Sequence, residues 1–291
     1  MEIFLTTGAV LLRILSNPFG NVLQKQLSAR KNHPLLVNFL TYLILSGFCV
    51  FLATDVRWRG LSRKFWVYAI LGGIAGALGN GFLVKALHKG DLSVLGPINA
   101  YKAVIGMLAA IFLLREIPTL WGMAGVALII CGSYFVLDTM EERFSFALLK
   151  KKEIQYRIWA MVLAAVEAVF IKKVILASTV TTAFVMWCWF GALFSLLFLF
   201  VYRVDLRRET GNVDRACAGK YLLLVVCVGT MQFTTNYTLD HMPVGYALSL
   251  FQLSTIVSVL LGHRYFQERS IRRKLIGTAI MIAGSVIVIL F

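Results

Sequence analysis

Two stretches decide the fold: LLREIPTLWGMAGVALIICGSYFVL (113–137) and YFQERSIRRKLIGTAIMIAGSVIVIL (265–290). A shift of 152 residues lays one on the other. Glu116 then falls on Glu268, Gly125 on Gly277, Ala127 on Ala279, Ile130 on Ile282, Gly132 on Gly284, Ser133 on Ser285 and Val136 on Val288. No gap is needed from Asp91 to Leu137, and the same shift carries Asn80 onto Gln232. An ungapped series with a shared acid and two shared glycines marks an internal repeat. The runs 118–137 and 275–290 hold no charged residue. Their small residues (Gly122, Gly125, Gly132, Ser133; Gly277, Ala283, Gly284, Ser285) permit close contact between helices.

Outward from these stretches the whole chain is oily. Of 291 residues 59% are hydrophobic and 15% charged, and the mean hydropathy is +0.79. Soluble domains hold roughly 45–50% apolar residues. The chain therefore reads as a multi-pass, all-α membrane protein. Ten apolar segments are expected to cross the bilayer: 4–27, 35–54, 65–87, 91–113, 118–137, 156–176, 180–202, 220–239, 243–262 and 271–290. About 20 apolar residues span the hydrocarbon core as a helix, and continuous apolar runs choose helices over a barrel. The expected organisation is a first five-helix repeat at 1–137, a linker DTMEERFSFALLKKKEIQ at 138–155 and a second five-helix repeat at 156–291. Five crossings per half send the second half in from the opposite side, so the ten transmembrane helices form two inverted repeats. The opening MEIFLTT lacks the basic region of a cleavable signal peptide.

The formal net charge of +15 does not indicate nucleic acid, because the basic residues sit in short caps between apolar segments. No nucleic-acid partner is expected. Of the five cysteines (Cys49, Cys131, Cys188, Cys217, Cys227), none forms a CxxC pair, and the four histidines lack ligand spacing. Neither a metal nor another cofactor is indicated. There is no Ser/His dyad, no paired aspartates and no HExxH, so an enzyme is not expected.

Polar residues inside oily segments are the candidates for function. Arg13, Asn17, Asn21 and Lys25 recur every four residues along the first segment, which places them on one helix face. A charge at the bilayer centre costs about 2.5–3.5 kcal/mol on insertion scales, so such residues face a watery path or a partner. Arg13 offers a fork of donors for a carboxylate or phosphate, or else pairs with Glu167. Lys102 lies midway along its segment, too deep to snorkel, and serves substrate, coupling or a structural ion pair. Glu167 is the sole acid deep within any apolar segment. It carries a proton or acts as counter-ion to Arg13 or Lys102. Asn17, Asn80, Gln232 and Asn236 line a cavity or join helices by hydrogen bonds. Tyr101 and Trp187 pack within the bundle or stack on a ligand. Pro18 can kink the first helix beside Asn17. The glycines at 72, 73, 76, 79 and 81 allow tight packing or flexing of the third helix. Lys25, Lys85, Lys172 and Lys173 sit near segment ends, where snorkelling is the default.

The two opening stretches resemble the EamA family of the drug/metabolite transporter superfamily, in which an acid follows the fourth helix of each half and a glycine-rich fifth helix follows it. The ends of helices 1 and 6, NVLQKQL (21–27) and AVFIKKVIL (168–176), fit the same pattern with Lys25 opposite Lys172. The resemblance covers essentially the whole chain. It implies a ten-helix carrier whose central cavity is lined by helices 1–4 and 6–9, with helices 5 and 10 at the periphery. It also implies termini on the cytoplasmic side. The charges disagree: that orientation leaves seven basic residues in cytoplasmic loops (Arg57, Arg59, Arg63, Lys64, Arg115, Lys172, Lys173) against eighteen opposite.

The leading expectation is a secondary transporter of small anionic or zwitterionic metabolites, of the amino acid or organic acid class. It works by alternating access, with proton coupling through Glu167 if that acid is not a counter-ion, in the plasma (inner) membrane of a bacterium. Its partners are a small-molecule substrate and the lipid bilayer, and it acts as a monomer or homodimer. The alternatives are a flippase-like carrier of a phosphate-bearing lipid and a non-transporting membrane assembly protein, which predicts internally paired polar residues and no cavity.

Overall fold

The computed structural model describes all residues except 1, 30–32, 90–100, 116, 118, 138–149, 206–214, 268–270 and 291. Every regular element among the described residues is a helix: α1 (Glu2–Ala29), α2 (Pro34–Ala53), α3 (Arg63–Lys89), α4 (Tyr101–Leu114), α5 (Leu120–Leu137), α6 (Lys152–Leu176), α7 (Val180–Val201), α8 (Arg215–His241), α9 (Val244–Phe251), α10 (Ser254–Phe266) and α11 (Ile271–Leu290). Six described stretches are long and apolar enough to cross a membrane: Ile3–Ala29, Pro34–Ala53, Arg63–His88, Val180–Val201, Cys217–His241 and Val244–Phe266. Local chemistry sets several ends. His33 accepts a hydrogen bond from the amide of Leu35 ahead of α2, with Pro34 at the first helical position. The Thr179 hydroxyl accepts from the amide of Thr182 and caps α7. Gln267, at φ 53°, closes α10 in the left-handed region.

Segment 243–262, expected as one helix, is two. Around Gln252 and Leu253 the backbone tightens to i→i−3 bonds, with Gln252 N–H donating to Ser249 O (3.0 Å) and Thr255 N–H to Gln252 O (2.8 Å). The side-chain amide of Gln252 donates to Leu248 O (3.1 Å) and takes the place of a main-chain donor there. No glycine or proline stands at the break. A side chain inserted into the ladder is a known cause of such interruptions. At the other boundary, α6 begins at Lys152, within the stretch read as linker. The acids Glu116 and Glu268, shared by the two repeats, lie outside the described residues.

Helices α3 and α8 take corresponding places in the two halves. Packing follows the repeat as well. The broadest contacts join opposite halves: α3 with α6, α1 with α8, α2 with α7, and α5 with α11. Exchanging the halves turns the first of these pairs into the second and returns the last two to themselves, the behaviour of a pseudo-two-fold arrangement. Its clearest mark is between α5 and α11. A Cβ on Gly132 would strike the carbonyl of Gly277, and one on Gly284 would strike the carbonyl of Gly125, the reciprocal contact. Only glycine permits that approach. The outer faces of this pair expose Trp121, Met123, Ile276 and Ile282.

The glycines of α3 serve close packing. A Cβ at Gly73 would meet Phe190 and one at Gly81 would meet Phe198 and Leu35, while one at Gly79 would meet Leu163. One large apolar cluster fills much of the bundle. A smaller one (Val22, Ala86, Leu87, Ile154, Leu261) ties the C-terminal ends of α1 and α3 to the start of α6 and to α10. The polar cavity borders both.

Candidate functional site

The cavity lies among α1, α3, α4, α6 and α8, with Tyr42 of α2 and Trp187 of α7 completing its wall. The space open to water centres is about 90 Å³. That is room for several waters, since one needs roughly 10–15 Å³. Arg13, Asn17 and Asn21 of the α1 stripe line it, together with Lys102, Arg157 and Glu167. The wall contributed by α3 is Gly76, Gly79, Asn80 and Leu83, and that contributed by α8 is Val228, Met231, Gln232 and Thr235. Each residue of the second set stands 152 positions after its counterpart in the first. The cavity therefore sits where the two halves face each other.

Arg13 is 6% exposed and held on two sides. Its Nε donates to Thr235 Oγ1 at 2.9 Å, and its guanidinium carbon lies 4.7 Å from the centre of the Phe251 ring. Its Nη1 has no hydrogen-bond partner among the described residues. Glu167 Oε1 accepts from the indole Nε1 of Trp187 at 2.6 Å. Trp187 in turn packs on Tyr42, ring centres 4.7 Å apart. Gly76 makes room for this pair, for a Cβ there would strike Glu167 Oε1 and lie 3.2 Å from Trp187 Nε1. Glu167 interacts electrostatically with Lys102 and Arg13. No ion pair within 4 Å joins it to either among the described residues. The acid and the two cations thus share one polar space without neutralising each other in direct contact.

Amides knit the walls. Gln24 Nε2 donates to Asn80 Oδ1 (3.4 Å), Asn80 Nδ2 donates to Asn38 Oδ1, and Asn38 Nδ2 donates to Ala77 O (3.2 Å). In the second half the amides of Gln232 and Asn236 are 2.8 Å apart and hydrogen-bonded. Of the residues singled out from the sequence, Arg13, Asn17, Asn80, Lys102, Glu167, Trp187 and Gln232 meet at the cavity. Asn236 is fully buried and bonds to Gln232 within α8. Tyr101 opens α4, and its side chain lies outside the described residues. The end lysines behave differently from free snorkels. Lys85 Nζ sits 3.4 Å from the centre of the Tyr202 ring, and Lys173 Nζ 4.7 Å from that of Tyr68. Lys172 Nζ donates to Met242 O (2.8 Å).

Sequence reading missed Arg157, Tyr42 and Thr235. Arg157 is the second residue of the expected segment 156–176, where a surface charge is the ordinary reading, but α6 starts at Lys152 and buries it. Thr235 is one of four threonines in α8 (Thr230, Thr234, Thr235, Thr238), and periodicity alone does not single it out.

Comparison with known proteins agrees with this architecture. The chain superposes on a crystal structure of a protein with a TM-score of 0.72 at 17% identity, covering 97% of this chain and 96% of the other. That likeness concerns the fold. An uncharacterized protein of Methanocaldococcus jannaschii is 34% identical over 70 residues, which is 24% of this chain. The match spans about half (51%) of that relative's length. The model of the EamA-like transporter family matches twice, over residues 9–138 and 151–290. Those two matches take in nearly the whole chain and fall one on each half of the two-fold packing, and the chain belongs to the EamA-like transporter family.

Proposed function

We propose that this chain is a secondary transporter of small anionic or zwitterionic metabolites. The observation that carries the reading is the cavity at the junction of the halves, where Arg13, Lys102, Arg157 and Glu167 stand among apolar side chains. In this reading α9 and α10 form one interrupted crossing, so that ten crossings arise from two inverted repeats. Alternating access then amounts to rocking of cross-packed helices about the cavity. Three cations on the wall (Arg13, Lys102, Arg157) against one acid favour a substrate bearing a carboxylate or phosphate group. Glu167 is the one acid on the cavity wall among the described residues, and it serves as the proton carrier. The membrane is the plasma membrane of a bacterium.

Uptake by the purified chain in proteoliposomes tests the substrate class, using radiolabelled L-alanine, L-glutamate, succinate, glycerol 3-phosphate and, as the cationic contrast, L-lysine. The expected result is saturable uptake of at least one anionic or zwitterionic compound, inhibited by the others and insensitive to L-lysine. Uptake of L-lysine alone would sink the proposal. Single cysteines at positions 60 and 210 test the crossings, since ten crossings put them on opposite faces.

A further inference from the structure

Thr235 and Phe251 approach Arg13 from different helices, and neither belongs to any set of charged groups. The hydroxyl hydrogen of Thr235 is committed, because Oγ1 donates to Met231 O at 2.7 Å. Its oxygen is left as an acceptor, and Arg13 Nε fills it at 2.9 Å. That bond fixes the guanidinium plane along one edge. Phe251 covers one face of the plane at 4.7 Å, a distance at which ring and cation attract. Both groups are nearly fully buried, at 7% and 3% exposed. An arginine held at one edge and one face keeps its remaining donors in a set orientation, with Nη1 unpartnered. The counterpart of Thr235 on the opposite wall is Leu83, which offers no acceptor. The arrangement belongs to one side of the cavity alone. Phe251 is also the last residue of α9, directly before the break at Gln252.

We propose that Thr235 and Phe251 are positioning residues that hold the Arg13 guanidinium as the receptor for a substrate carboxylate or phosphate, tied through Phe251 to the interrupted ninth crossing. The proposal rests on the reading of the cavity as an anion site. It goes beyond that reading in naming two uncharged residues as determinants of anion affinity. A pre-set fork loses less freedom when it binds a planar anion than a floppy one does.

The test uses the full chain in nanodiscs with arginine side-chain nitrogens labelled for magnetic resonance and acetate as the carboxylate probe. The Arg13 signal is identified by its loss in Arg13→Lys. The Arg13 Nε–H is expected to exchange slowly with water in the parent protein. Thr235→Val, which keeps shape and removes the acceptor, should speed that exchange and weaken acetate binding about tenfold, because the freed fork must be ordered anew on binding. Thr235→Ser should restore both. Phe251→Leu should abolish the ring-current displacement of the Arg13 signals and also weaken acetate, which keeps the test alive if Thr235→Val does not fold. Equal exchange and equal acetate affinity in Thr235→Val and the parent would overturn the proposal. Arg13 signals that ignore acetate in the parent would overturn both the proposal and the anion reading. Acetate binding as expected, with no metabolite transported, would count against transport alone and leave the positioning role standing.

Discussion

Helices α3 and α8 occupy the same place in the two halves and face the cavity with the same four registers, yet they build opposite walls. On α3 the residues are Gly76, Gly79, Asn80 and Leu83, and on α8 they are Val228, Met231, Gln232 and Thr235. The bare wall of α3 lets α6 come close enough for Glu167 to rest against Gly76 and bond to Trp187. The fuller wall of α8 instead offers a hydroxyl to Arg13 on α1. The backbone scaffold repeats, whereas the chemistry is divided: acid against glycine on one side, arginine against threonine on the other. Only the middle register, Asn80 and Gln232, keeps the same kind of group on both.

Substitutions that make the walls alike should break this division. The largest effect is expected from Gly76→Val, which gives α3 the residue of its counterpart register. The new side chain collides with Glu167 and Trp187, and overpacking of this kind costs about 1–3 kcal/mol or more. Loss of monodisperse protein, or a markedly lower melting temperature in detergent, is the outcome to look for; a parent-like melting curve would show that α6 yields easily. Lys102→Ala comes next. It should bring transport to background with folding intact, because it removes one of the two deep cations read from the sequence. Transport at the parent rate with normal yield would take Lys102 out of the site. Glu167→Gln sharpens the acid side. Glutamine retains an oxygen for the Trp187 indole but releases no proton, so accumulation driven by a pH gradient should vanish while substrate exchange persists. Parent-like accumulation would remove Glu167 from coupling, whereas loss of exchange and yield together would mark it as a counter-ion. The smallest effect is expected from Leu83→Thr, which copies the hydroxyl of α8 onto α3 where no arginine waits. Melting temperature and transport should stay near the parent values, and a substantial gain or loss would mean that α3 already takes part in holding the anion.

Much of this was legible because a membrane makes polar residues conspicuous. Arg13, Lys102 and Glu167 stand out in apolar runs, and the reciprocal glycines at 125, 132, 277 and 284 announced the repeat before any contact was known. What stayed hidden depended on which way a common residue faces. Thr235 looks like its three neighbours, and threonine hydroxyls in helices usually bond back to the preceding turn, as those of Thr234 and Thr238 do here. Arg157 lies where apolar sequence ends, and such a position reads as a surface. The interruption at Gln252 has no glycine or proline to signal it and arises from a side chain bonding its own backbone. Asn236 shows the limit from the other direction: it shares a helix face with Gln232 and bonds to it, yet Gln232 alone of the two lines the cavity.

The cross-packing of the halves carries a consequence for how the polypeptide is made. The principal neighbour of α1 is α8, and that of α3 is α6, so early helices wait for partners that a ribosome has yet to synthesise. Arg13 enters the bilayer more than two hundred residues before Thr235, and Lys102 precedes Glu167 by less than a third of that span. During that interval the nascent first half is an unfinished bundle with orphan cations, in need of shelter beside the insertion machinery. A chain truncated before α8 would leave α1 without its principal neighbour and Arg13 without its acceptor.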